Sequence, residues 1–260
     1  FAQETLVLPL NDTEALEAAF ATHNDIGAII IEPIPANNGL LLQDPSFLQA
    51  LRDQCDKHNA LLIFDEVISG FRVGFEGAAA YYNIKPDIIT YGKIIGGGMP
   101  VGAYGASHEI MAHIAPDGPV YQAGTLSANP VAMAAGIAQM EMCLQAGFYE
   151  KLAEKTGNFV AAINTHAEQQ GYPLHLFSIG SIFWMAFSKA EHIRSADAIV
   201  PESMNYFKSL HQLLLENGIY MGPSGYEVGF ISAAHSDADL QEAQTIICTC
   251  LDKVFEQAMA

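Results

Sequence analysis

Leu61-Leu62-Ile63-Phe64 is an unbroken apolar run ending in two acids, Asp65 and Glu66. A run of that length without alternation reads as a strand buried on both faces, as in parallel sheets. Ile88-Ile89-Thr90 repeats the pattern and stops just before Lys93, which has Gly92 on one side and Gly96-Gly97-Gly98 beyond it. Ala28 to Ile31 is a third such run, ending at Glu32-Pro33. Between the runs at 28–31 and 61–64, Pro45 to His58 carries an amphipathic helical pattern. Strands separated by helices predict βαβ units and a mostly parallel sheet, an α/β fold. Val101 to Ala106 follows through a Gly-rich link too short for a crossover helix, so it is expected to pair antiparallel. Asn11-Asp12-Thr13-Glu14 opens a helix to about Ala21, and Pro130 opens another at its favoured first position.

Near Gly147 the character changes. A long helix to about Gln170 is predicted, then strands near 174–178 and 181–187. A helix near 203–217, a strand near 228–232 and a last helix from Ser236-Asp237 complete the order. That mixture predicts a second, α+β domain. The expected division is residues 1–143 as part of a large domain and 144–260 as a small C-terminal domain.

The strand ends carry the chemistry. Open α/β sheets place ligands at the carboxyl ends of their strands. An Asp and a Lys on neighbouring strand ends suit pyridoxal 5'-phosphate: the amine joins the cofactor aldehyde, and the carboxylate keeps the ring nitrogen protonated. Glycines around Lys93 permit close backbone approach to a ligand. Read by position alone, Asp65 is equally placed to cap a helix, and Val67 to be core. Gly124-Thr125-Leu126-Ser127, just before a helix start, reads as an anion cradle or as a helix entry capped by Ser127 or Asn129. Asn37 near Gly39 has the composition of a turn. Glu227 precedes a strand, where an acid is commonly a solvated loop residue.

Charge and cysteine content exclude other classes. The net charge of −18 argues against a nucleic-acid partner, whose phosphates need clustered Lys and Arg. No apolar run approaches the ~20 residues of a membrane span. The start, Phe1-Ala2-Gln3-Glu4, has neither an initiator Met nor a signal-peptide pattern. Four Cys in 260 residues do not make a disulfide framework, which points to reduced thiols in the cytoplasm. The nine His are scattered without metal-ligand spacing, so no metal site is expected.

Several stretches together resemble the class III aminotransferases of pyridoxal phosphate fold type I. They are Glu32-Pro33, Phe64-Asp65-Glu66-Val67, Gly70-Phe71-Arg72, the run from Gly92-Lys93 to Gly105, and Tyr121-Gln122-Ala123-Gly124-Thr125-Leu126-Ser127-Ala128-Asn129-Pro130. The Tyr-Gln-Ala-Gly-Thr-Leu-Ser run resembles the aminomutase branch of that class. The resemblance implies a two-domain enzyme using pyridoxal 5'-phosphate and pyridoxamine 5'-phosphate. Its reaction would be intramolecular amino transfer that converts glutamate-1-semialdehyde to 5-aminolevulinate. It implies Lys93 as the cofactor-bearing, proton-shuttling residue, Asp65 on the ring nitrogen, Val67 on the ring face and Asn37 near the phenolic oxygen. It implies Gly124 and Thr125 at the cofactor phosphate of the other subunit of a homodimer, and Glu227 facing the substrate. Pro35 and Ala36 depart from the family's usual residues in the Asn37 loop, and Ala128 replaces a more usual glycine. The family's upstream phosphate loop, ring-stacking aromatic and substrate-binding Arg have no counterparts before Glu32, so the chain resembles the carboxyl-terminal part of such an enzyme. Two rivals are an ordinary class III ω- or β-amino-acid aminotransferase and a non-catalytic, cofactor-free homologue.

Overall fold

A computed structural model describes residues 4–259, with side-chain surroundings to Glu256. Phe1–Gln3, on which the reading of the chain start rests, and Ala260 lie outside the described residues. The chain forms two compact units: one runs to Ile34 and resumes over Gln43–Ala146, and the other takes Pro35–Leu42 and everything from Gly147 on. A single boundary after residue 143 therefore leaves out the short segment Pro35–Leu42, which lies with the second unit.

In the first unit, α1 (Thr13–Thr22) is started by Asp12, whose side chain accepts from the Ala15 amide at 2.8 Å. Strand β1 (Ala28–Ile31) follows, then α2 (Pro45–His58), with Asp44 as cap and Pro45 in its first turn. Next come β2 (Leu61–Asp65), α3 (Gly77–Tyr82), β3 (Ile88–Tyr91), a 3-10 turn over Lys93–Gly96, β4 (Ala103–Ala106), the single-turn α4 (His108–Met111) and α5 (Pro130–Cys143). The sheet order is β1-β2-β3-β4. β1, β2 and β3 run parallel and β4 pairs antiparallel to β3, as the short Gly-rich link requires.

One face of this sheet is packed. Leu62 and Phe64 meet Leu16 and Phe20 of α1 and Phe47, Leu48 and Leu51 of α2 in one buried cluster. The opposite face differs from the expectation of strands buried on both sides. β2 alternates between buried and half-buried residues, β3 is half-buried throughout, and Ile30 of β1 is 67% exposed. An apolar run records the propensity to be covered on both faces, but the cover itself must come from elsewhere. Among the described residues of this unit, α1 and α2 supply it on one face only.

In the second unit, α6 (Phe148–Gln170), β5 (His175–Ile179), β6 (Ile182–Ala186), α7 (Ser203–Glu216), β7 (Gly229–Phe230) and α8 (Asp237–Met259) follow the predicted order. β5, β6 and β7 form an antiparallel sheet in that order, and every residue of β6 is buried. Leu152, Phe159 and Ile163 of α6 pack with Leu176, Met185, Leu210, Leu214, Leu251 and Val254 in one continuous core. The strand expected near 228–232 shortens to Gly229–Phe230.

Candidate active site

The parallel register brings two of the predicted site residues to one end of the first unit's sheet. Asp65 is the last residue of β2 and pairs with Thr90 of β3. Lys93 opens the 3-10 turn that begins directly after β3 and Gly92. Carboxylate and amine thus stand at the carboxyl ends of adjacent parallel strands.

Asp65 is held by its own neighbourhood. Its Oδ1 accepts from the Val67 amide at 3.0 Å and from Thr90 Oγ1 at 3.2 Å. Its Oδ2 has no hydrogen-bond partner among the described residues, which leaves an acceptor for a ligand donor. The capping alternative is not realised, because no helix starts at Asp65. Val67 lies against the backbone before the lysine: a Cβ on Gly92 would come within 3.1 Å of Val67 Cγ1.

Lys93 has φ +48°, in the left-handed region that non-glycine residues seldom occupy. Such backbone strain persists where surrounding structure fixes it, and it gathers at functional sites. Here α5 supplies the fixing. A Cβ on Gly136 of α5 would collide with the Ile95 carbonyl, and one on Gly97 would collide with the Ala135 carbonyl. Helix and lysine turn therefore meet backbone to backbone. The exposed Lys93 side chain lines a cleft of about 530 Å³ with Arg72, Ile94, Gly97, Gly98, Met99, Pro100 and Gln139. Burial pulls the Arg72 guanidinium down to about 10, so it is still a cation at neutral pH.

Glu66, next to Asp65, is fully buried and serves the fold. Its carboxylate accepts from the Ala78 and Ala79 amides at 2.6 and 3.0 Å and from Ser69 Oγ at 3.1 Å. It thus satisfies the first amides of α3, whose own cap position, Glu76, provides no side-chain bond. Burial raises its pKa, and the three donors oppose that shift. The length of α3 gave no sequence signal for this remote cap.

Gly124 and Thr125 lie on an exposed turn ahead of α5. The Ser127 amide donates to the Gly124 carbonyl at 3.0 Å. Asn129 is the helix cap, accepting from the Ala132 amide at 3.0 Å, so the hydroxyls of Thr125 and Ser127 are not used as α5 caps. Ala128 takes φ +55°, the conformation a glycine would hold without strain.

Asn37 and Glu227 belong to the second unit, and both are exposed. Asn37 sits in the bend that ends at Gly39. Glu227 sits in the bend before β7, with its amide on the Ser224 carbonyl at 3.0 Å. The two bends are joined: the Gly39 amide donates to the Tyr226 carbonyl at 2.6 Å. Among the described residues no group of three or more His, Cys, Asp or Glu is placed to hold a metal ion. The four cysteines are free, three of them buried.

Residues 3–251 match the family model described as Aminotransferase class-III. The chain is 47% identical over 247 residues to a glutamate-1-semialdehyde 2,1-aminomutase of Bdellovibrio bacteriovorus, covering 95% of this chain and 58% of that protein. An omega-transaminase from Sphaerobacter thermophilus superposes with a TM-score of 0.89 at 30% identity, over 96% of this chain and 57% of that one. A glutamate-1-semialdehyde aminomutase from Pseudomonas aeruginosa, also solved as a variant in complex with PMP, superposes with a TM-score of 0.84 at 25% identity. That superposition covers 96% of this chain and 57% of that one. The chain spans somewhat over half the length of each of these relatives.

Proposed function

The chain belongs to the class III aminotransferases, which have pyridoxal phosphate fold type I, and on that premise we propose that it is part of a glutamate-1-semialdehyde 2,1-aminomutase. The observation that carries the reading is the strained Lys93 at the end of β3 beside Asp65 at the end of β2, in a chain 47% identical to such an enzyme. The reaction moves an amino group between neighbouring carbons of glutamate-1-semialdehyde and yields 5-aminolevulinate, with no external amino donor. Pyridoxal or pyridoxamine phosphate, when bound, supplies an electron sink for negative charge on the substrate carbon.

The residues of the first unit fit that group. The open Oδ2 of Asp65 would accept from a protonated ring nitrogen, and Val67 would pack on the ring. Lys93 would hold the cofactor through its amine and, when free of it, would move protons between the substrate carbons and the cofactor as general base and acid. Thr125, with the Gly124 backbone, would bind the cofactor phosphate across a homodimer interface. Exposed apolar side chains on and next to α5 support that assembly: Val131 is 66% exposed, Ile137 61%, Leu144 63% and Leu126 74%. Apolar surface of that extent is characteristic of an interface. For Asn37 and Glu227, in the second unit, the resemblance implies contact with the cofactor's phenolic oxygen and with the amino or carboxylate end of the substrate.

The enzyme is expected to be cytoplasmic, and among the described residues no helix is long and apolar enough to cross a membrane. The test is turnover of glutamate-1-semialdehyde by the whole protein in its pyridoxamine form, without added donor or acceptor. Strict dependence on an external donor, with no 5-aminolevulinate formed, would transfer the assignment to an ω-aminotransferase. Failure to develop a near-visible absorbance band with the cofactor would mark a non-catalytic homologue.

A further inference from the structure

We propose that Trp184 is a positioning residue that holds the Asn37 bend and the Glu227 bend as one piece. Trp184 lies in the middle of β6 with 1% of its surface exposed. Its indole Nε1 donates to the Gly225 carbonyl at 2.8 Å, two residues before Glu227. Its ring presses on Gly39, two residues after Asn37. A Cβ on Gly39 would lie 2.9 Å from the ring, and its φ of +81° suits only glycine. The bond from the Gly39 amide to the Tyr226 carbonyl then ties the two bends directly. Indole and main chain thus form a closed circuit: ring to Gly39, Gly39 to Tyr226, Gly225 back to the indole nitrogen. Phe177, the cross-strand neighbour on β5, stacks on the indole at 6.0 Å between ring centroids.

The circuit explains why Pro35–Leu42 lies with the second unit although its neighbours in sequence lie in the first. Arg194 Nη1, donating to the Leu42 carbonyl at 3.2 Å, fastens the segment's other end. Trp184 touches neither reacting atoms nor cofactor in this reading. It acts through the two bends, by fixing the position of a cofactor-side amide relative to a substrate-side carboxylate. The catalytic part of the inference rests on the aminomutase assignment, whereas the structural part does not.

The experiment is Trp184→Phe in the whole protein, which keeps a ring against Gly39 but removes the donor to Gly225. Amide exchange should accelerate together in peptides spanning residues 35–42 and 223–228, and peptides from α6 should not change. Loss of one buried hydrogen bond corresponds to about a tenfold effect. KM for glutamate-1-semialdehyde is therefore expected to rise by up to about tenfold, with cofactor content near that of the parent and a melting temperature lower by a few degrees. Trp184→Phe combined with Glu227→Gln should cost less than the sum of the single changes, because both act at one carboxylate. If Trp184→Phe does not fold, Gly39→Ala carries the same readouts, since its Cβ must displace the ring. Exchange that accelerates in only one of the two segments, or in neither, overturns the proposal whatever the assay gives. Coupled exchange with an unchanged KM would overturn the catalytic part. A parent protein without aminomutase turnover would instead overturn the assignment on which that part rests.

Discussion

The two units solve the burial problem differently. In the second, β6 is buried at all five positions, and helices α6, α7 and α8 close over the sheet in a continuous core. In the first, helices cover one face of β1 to β3, while Ile30 and Tyr104 of β4 are exposed at 67% and 41%. Yet the first unit carries Asp65 and Lys93. The proposed chemistry lies where strand ends are open, and stability lies where strand faces are closed. The two kinds of residue therefore respond to substitution in opposite ways.

The largest expected effect is chemical and falls in the first unit. Lys93→Ala should reduce turnover of the whole protein by about 10³-fold or more, the range lost when a positioned acid–base group is removed. Stability should change by no more than about 0.5 kcal/mol, because an exposed side chain has little packing to lose. Steady-state assays and thermal melts on one preparation check both halves. A melt as depressed as that of a core variant would break the comparison.

Next comes a contrast in burial. Ile163 on α6 is fully buried, and Ile163→Ala should cost about 2–5 kcal/mol in denaturant titration. Ile30→Ala should cost under about 1 kcal/mol in this chain, since most of its side chain already meets water. An equal loss at both positions would show that the open face of the first sheet is covered in solution.

Much of this was legible beforehand, for identifiable reasons. Asp12, Pro45 and Pro130 mark helix starts through local hydrogen bonding and fixed φ, which need no tertiary context. The antiparallel turn of β4 followed from a link too short for a crossover. Strand runs ending in Asp65 and before Lys93 fixed both ends of the proposed site. What escaped is what depends on partners distant in sequence. The remote cap from Glu66 to α3 has no spacing rule, nor does the clasp of Gly97 and Gly136. The stitching of Gly39 to Trp184 and Tyr226 moved Pro35–Leu42 across the expected domain boundary. The apolar run Ala28–Ile31 misled in the other direction, because composition reports what a strand prefers and not what covers it.

The smallest effects are titrations, and the two units should show them at opposite ends of the pH scale. In the first, burial raises the Glu66 pKa above the ordinary carboxylate value. The folded state then keeps a proton that the unfolded state has lost, so this contribution is complete below the ordinary value and fades as pH rises through the folded one. Glu66→Gln should remove that slope in mildly acid solution, even though it also weakens the cap of α3. In the second unit, Tyr172 donates to Asp252 Oδ1 at 2.8 Å, the same oxygen that His166 Nε2 approaches at 2.7 Å. Burial first, and then Asp252, push the phenol up to about 12. Its contribution is complete below the ordinary tyrosine value and is lost as pH climbs from there to about 12. Tyr172→Phe should therefore flatten the alkaline limb and leave the acid limb as it was, and Glu66→Gln should do the reverse. Denaturant titrations across both ranges read the slopes. A Glu66→Gln profile that kept the acid slope, or a Tyr172→Phe profile that kept the alkaline one, would assign that slope to another group.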